Sequence, residues 1–463
     1  MTQIVPPGPA EAGDDDRPSL KRVMGPGLLL LFIVGDILGT GIYALTGEVA
    51  GEVGGAAWLP FAVAFGVALI TACSYLELVT KYPEAAGAAL YVHKAFGKHA
   101  LSFLVCFTVM CSGITSASAA ARAFASNLAK GFGLDAGNGV LLLIALGFML
   151  LILAVNLRGV GESVKANVVL TLIELSGLLL VIVLSMYFIL GGNADFSRVV
   201  AFETPADKNV FLAISAATSL AFFAMVGFED SVNMAEETRE PARIFPRIML
   251  TGLGITGLIY VLVSVCAVAV VPVGRLADSE TPLVTVVQTA APGFPIADLL
   301  PFISMFAVAN SALINMLMAS RLLYGMGKRG VLPPFLAKVH PTRRTPQAAI
   351  LFTTVIALGL ITFVSLVPDS PVVALLGGTT SLLLLAVFAA VNVSVLVLRR
   401  EETGGEHFNA GRVLPVLGTL TCLYLVLPWS SGRPAGQYEI AGVLLLVGAV
   451  LWAVTWWSAR RRA

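Results

Sequence analysis

Stretches of about 20 almost wholly apolar residues, the length that crosses the hydrocarbon of a bilayer, recur along this entire chain. Inside lipid each backbone polar group must be satisfied within its own segment, so such stretches fold as helices. The pattern predicts twelve: Pro26–Val49, Ala57–Lys81, Leu101–Asn127, Gly139–Leu157, Ser163–Gly191, Asn209–Asn233, Pro246–Val271, Pro295–Tyr324, Pro346–Leu366, Pro371–Leu398, Val413–Leu427 and Tyr438–Trp457, the eleventh being short. Only 12% of the residues are charged, about half the fraction of a soluble domain. The expectation is an all-α integral membrane protein with twelve transmembrane helices, in contact with the lipid bilayer. A net charge of +1 gives no reason to expect nucleic acid. Cys73, Cys106, Cys111, Cys266 and Cys422 are odd in number and show no metal-like spacing, so they read as packing residues and no metal is expected. Residues 1–20 read as a disordered tail, since the Pro-, Gly- and Asp-rich start lacks the basic region of a cleaved signal peptide.

Basic residues predict the orientation. With the N-terminus in the cytoplasm, only Arg122, Lys130, Arg198, Lys208, Arg275 and Arg433 fall outside, and the other 23 of the 29 Lys and Arg fall inside. Both termini are then cytoplasmic. Spans one to five (21–195) and six to ten (196–400) form two units of opposite orientation, followed by 401–463 with the last two spans. His93, His99, His340 and His407 fall in or near cytoplasmic segments.

Each five-helix unit opens on an interrupted segment: Gly35-Asp36-Ile37-Leu38-Gly39-Thr40-Gly41-Ile42-Tyr43 in the first, and Phe222-Phe223-Ala224-Met225-Val226-Gly227-Phe228-Glu229-Asp230 in the second. A broken helix is tolerated in a membrane only beside protein or water. Two breaks at matching places point to a midplane binding site between inverted repeats, the logic of LeuT-type carriers.

Gly39-Thr40-Gly41-Ile42-Tyr43 resembles the first-helix break of the amino acid–polyamine–organocation family of permeases. Tyr75-Leu76-Glu77-Leu78 with Tyr82-Pro83-Glu84-Ala85-Ala86-Gly87 and Tyr91 resembles its helix-two exit, although the family often has Gly-Gly where this chain has Ala86-Gly87. Phe223 to Glu229 resembles the sixth-helix break, Glu236-Glu237-Thr238-Arg239-Glu240-Pro241 the motif that follows it, and Ala319-Ser320-Arg321 with Gly327 to Pro333 the helix-eight exit. The resemblance runs in order from about Leu20 to Arg400. It implies a LeuT-type 5+5 inverted repeat with discontinuous helices 1 and 6, and uptake or exchange of amino acids or related amines.

Unwinding at Gly39, Thr40 and Gly41 would offer N–H donors to a substrate carboxylate at a helix N-terminus. Carbonyls at Phe223, Ala224 and Val226, beside Gly227, would receive its ammonium, and Thr40 could add a hydroxyl. By resemblance, Ile37 lines the pocket and Phe223 covers it as a gate. For Phe223, core packing is an equal alternative.

An acid at the centre of a bilayer is unfavourable by about 2.5–3.5 kcal/mol on the lenient insertion scale, and so needs a reason. Asp36, Glu174 and the Glu229-Asp230 pair qualify. Glu174 stands mid-helix with no cation within a turn, where proton-coupled family members often carry lysine, which inverts the charge of the site. Asp36, one turn before the Gly39 break, could share a proton with it or meet a substrate amine. Family members with an acid at Glu229 use it in gating or proton sensing. Asp230, Asn310 and Ser311 are secondary candidates for the same cluster. The competing account is a static polar network pinning the helices together. Glu77 is assigned a helical ion pair with Lys81, and Glu236 and Glu237 a salt-bridge cluster with Arg239 and Arg243. The outer loop Pro272–Pro295 holds a short surface helix over Thr281–Ala290, while Trp452, Trp456, Trp457 and Arg460–Arg462 form an interfacial anchor. The last two helices carry no evident chemistry.

The expectation is a secondary amino acid transporter of the plasma membrane, proton-coupled through Asp36 and Glu174, with no cofactor besides the proton as coupling ion. Alternatives are a polyamine or organic-amine carrier, a gradient-independent exchanger, or a non-transporting sensor. No nucleophile–base pair or nucleotide loop supports an enzyme. The oligomeric state stays open.

Overall fold

The computed structural model describes residues 24–84, 87–158, 163–206, 208–235, 238–293, 298–328, 332–341, 345–367, 371–401 and 407–460. Residues 1–20, Glu236, Glu237 and Arg461–Arg462 lie outside that set. Among the described residues, eleven helices are long and apolar enough to cross a membrane, counting Pro26–Val53 and Val210–Met234 as single spans despite their breaks. Another apolar helix, Val413–Val426, has 14 residues. A helix of that length rises only about 21 Å.

In chain order the α-helices are α1 (Pro26–Ile37), α2 (Thr40–Val53), α3 (Trp58–Lys81), α4 (Gly87–Phe96), α5 (His99–Gly131), α6 (Asn138–Arg158), α7 (Ser163–Leu190), α8 (Val210–Ala221), α9 (Pro241–Val270), α10 (Val273–Ala277), α11 (Pro282–Ala290), α12 (Leu300–Lys328), α13 (Gln347–Ser365), α14 (Val372–Leu398), α15 (Val413–Val426), α16 (Pro428–Ser431) and α17 (Ala435–Arg460). Both breaks fall where the glycine-containing motifs predict them. Leu38 and Gly39 separate α1 from α2, and α8 passes through 3-10 turns at Phe222–Met225 and Asp230–Met234.

The interrupted helices occupy the centre. α1 packs on α7 and α9, α2 packs on α8, and the long α5 and α12 run side by side with α14 against α5. The apolar core is continuous through these elements, with Tyr43, Tyr75, Tyr260, Phe228 and Phe388 all buried. Near one end of the bundle, the Arg239 N–H donates to the Met24 carbonyl at 3.1 Å, tying the chain after the second break to the chain before the first.

Three expectations are corrected. α9 begins at Pro241, where proline suits the first helical position, and Pro246 lies inside the helix rather than at its start. The loop helix is not on the surface, because α11 buries Leu283, Val284, Val286 and Val287 against α2, α7 and α9. Glu77 does not pair with Lys81. It binds Arg399 of the α14 end and accepts the Ala410 N–H at 2.9 Å, while Lys81 donates to the Leu398 and Glu401 carbonyls at 2.7 and 2.6 Å. Between α15 and α17, buried Arg433 donates to the carbonyls of Gly378 and Leu425 at 2.8 Å each and to that of Ser219 at 3.4 Å, bracing α8 against α14.

Candidate functional site

The two breaks meet backbone to backbone. Gly227 has φ 128°, a left-handed conformation that favours glycine, and a Cβ there would fall 2.7 Å from the Asp36 carbonyl carbon and oxygen. A Cβ on Gly41 would collide with the Cα of Ala224. The glycines therefore do more than loosen the helices, since they let the second break touch the first on both sides.

Ending α1 at Ile37 frees its last carbonyls. One of them, on Ile37, accepts the Tyr260 hydroxyl at 2.6 Å. Starting α2 at Thr40 leaves its first N–H groups without intrahelical partners, at the positive end of the helix dipole. The Phe223 carbonyl accepts the Val226 N–H at 3.4 Å, closing a turn within the second break. Glu229 braces the same turn, because its Oε2 accepts the Gly227 N–H at 2.9 Å.

A small cavity of about 20 Å³ lies between the breaks, lined by Asp36, Ile37, Thr40, Gly41, Ser116, Phe223, Val226, Gly227, Asp230, Ser311 and Asn315. That is room for about one water rather than an amino acid. A second cavity of about 10 Å³ shares Val226, Asp230 and Asn315, and adds Glu229, Gly113, Met318 and Leu322. Asp230 and Asn315 thus face both spaces.

Of the residues singled out from the sequence, Asp36, Ile37, Thr40, Gly41, Phe223, Val226 and Gly227 line the first cavity, and Glu229 lines the second. Gly39 packs on the Ser311 hydroxyl and Ala224 on Gly41. Glu174 is separate. It is fully buried on α7, its backbone carbonyl takes the Tyr43 hydroxyl at 2.6 Å, and Asn310 of α12 faces its carboxyl group. Neither Glu174 oxygen, nor Asp36 Oδ2, nor Thr40 Oγ1 has a hydrogen-bond partner among the described residues. Phe223 sits against Gly377 of α14, where both packing and gating would put it.

Ser116 and Asn315 were not anticipated. Asn315 is an amide in an apolar helix and Ser116 one of several small polar residues in α5, so nothing local marks which of them faces the cavity.

An all-helical, multi-pass membrane protein whose two interrupted helices touch at a buried polar cavity is the class these observations define. Residues 28–458 match the family model described as amino acid permease, and the chain belongs to that family, whose members are permeases rather than enzymes. It is 26% identical over 437 residues to the branched-chain amino acid permease BcaP of Bacillus subtilis, covering 90% of each chain. It is 28% identical to a methylthioribose transporter of the same organism, covering 88% of each. With cationic amino acid transporter 4 of Homo sapiens it shares 30% identity, over 83% of this chain and 61% of the human one.

Proposed function

We propose that this permease is a proton-coupled amino acid carrier of the plasma membrane that works by alternating access. The observation that carries the reading is the contact of the two breaks, Gly227 on the Asp36 carbonyl and Gly41 on Ala224, around one polar cavity. The α2 N-terminus would hold the substrate carboxylate and the freed carbonyls near both breaks its ammonium. Thr40 Oγ1 and Asp36 Oδ2 have no hydrogen-bond partner among the described residues and are available to it. A cavity of about 20 Å³ cannot hold an amino acid, so the helices carrying the breaks separate to admit one. Protonation of Asp36 and Glu174 would favour one arrangement of the bundle over the other, as any ligand shifts a population by binding one state better.

The accompanying architecture is twelve spans, with the 14-residue α15 as the eleventh. Residues 21–195 and 196–400 are inverted repeats, 401–463 supplies the last two spans, and both termini are cytoplasmic.

A second reading has its own support. Asp36 and Asp230 both line the cavity, and no described Lys or Arg does. That balance suits a basic amino acid or a polyamine. Counterflow of labelled amino acids and amines in liposomes tests both. The first reading expects saturable, trans-stimulated exchange of zwitterionic amino acids and accumulation driven by an inward proton gradient. Exchange of cationic substrates alone would select the second, and the absence of any counterflow would sink both.

A further inference from the structure

A cavity much roomier than the two at the breaks lies at the bundle end where α3 and α14 stop and α15 begins. Its volume is about 1140 Å³, and Lys81, Arg399, Arg400 and Arg412 line it against two acids, Glu77 and Glu401. Those acids are already engaged. Glu77 holds Arg399 and the Ala410 N–H, and the Glu401 carboxylate accepts the Tyr82 hydroxyl at 2.7 Å. Lys81 is spent on two carbonyls. Arg400 and Arg412 are exposed and make no ion pair with any described acid. One stands at the end of α14 and the other caps the start of α15, so two guanidinium groups from different helices border one space.

The apolar surroundings match a lipid. Leu396 and Val416 also line the cavity. Beyond it Val416 and Leu420, one turn apart on α15, are exposed together with Val397 of α14. The depth follows from length: at about 21 Å, a 14-residue helix falls short of a hydrocarbon core of about 30 Å. A helix shorter than the hydrocarbon draws the bilayer surface and flanking basic side chains toward each other.

We propose that this cavity binds the phosphodiester headgroup of an anionic phospholipid, held by Arg400 and Arg412, with its acyl chains along Val416 and Leu420. Guanidinium groups match phosphate oxygens in pairs, and basic pockets between membrane helices are a recognised place for anionic headgroups. The site is independent of what the carrier moves.

The test uses the full chain, purified in neutral detergent, with three additions: phosphatidylglycerol, phosphatidylcholine and inorganic phosphate. Thermal midpoint and lipid retention in native mass spectrometry are read for wild type, for the double variant Arg400→Gln/Arg412→Gln, and for the control Arg275→Gln, whose arginine lies outside the cavity lining. The expected result is that phosphatidylglycerol alone raises the midpoint. Its apparent affinity falls about thirtyfold in the double variant, the change carried by two headgroup contacts, and stays unchanged in the control. Both arginines are exposed, so the unliganded midpoint stays at the wild-type value. Equal stabilisation by phosphatidylcholine, an equal shift with inorganic phosphate, or an undiminished phosphatidylglycerol effect in the double variant would each overturn the assignment.

Discussion

Glu77 and Glu174 are both buried acids in membrane-length helices, yet their surroundings differ completely. Glu77 has a guanidinium on its carboxylate and a backbone N–H beside it. Glu174 has no described cation, its oxygens have no hydrogen-bond partner among the described residues, and the amide of Asn310 faces it. The first is a charge neutralised in place, which ties α3 to α14 and suits a fixed joint. The second is an acid without a described partner beside helices that carry the breaks, which suits a group whose partner comes and goes. Burial alone therefore does not separate these two acids; the presence of a permanent partner does.

The sharpest way to break that contrast is Glu174→Gln. It is expected to abolish proton-driven accumulation in liposomes while exchange persists, and full uphill uptake by the variant would remove Glu174 from coupling. Next comes Gly227→Ala. Its Cβ would press on the Asp36 carbonyl at 2.7 Å, and separating the breaks by a fraction of an ångström is expected to lower exchange by up to about a hundredfold, read as initial counterflow rate at equal reconstituted protein. Arg399→Ala probes the other acid. Stranding Glu77 is expected to lower stability by about 3 kcal/mol, seen as a drop in thermal midpoint, whereas Glu77→Gln/Arg399→Met together recovers most of it. Should the single variant melt like wild type, the joint is not structural. Smallest is Asn209→Ala. The Asn209 side chain accepts the Leu212 N–H at 2.8 Å at the start of α8, so the variant is expected to lose about 1 kcal/mol with exchange intact.

Several features were legible in the chain because they are local. The positions of the breaks follow from glycines inside apolar runs, and helix length follows from apolar length. The lining of the cavity was legible only in part. Residues near the breaks, from Asp36 to Gly41 and from Phe223 to Gly227, announce themselves, but Ser116 and Asn315 arrive from α5 and α12, whose rotation about their own axes has no strong local signal. The helix at Pro282–Ala290 was placed on the surface because it lies in a long loop, while its Leu and Val side chains found an apolar seat on α2, α7 and α9.

Residue order by itself determined that this chain is a bundle of membrane-length helices and where two of them break, since those outcomes depend on neighbours a few positions apart. Only tertiary packing decided which acid met which base. Lys81, four residues from Glu77, was the obvious partner, yet the carboxylate is held by Arg399, 322 residues away. The reason is geometric: an ion pair forms between side chains that converge at a boundary, and convergence is set by how distant helices lean together.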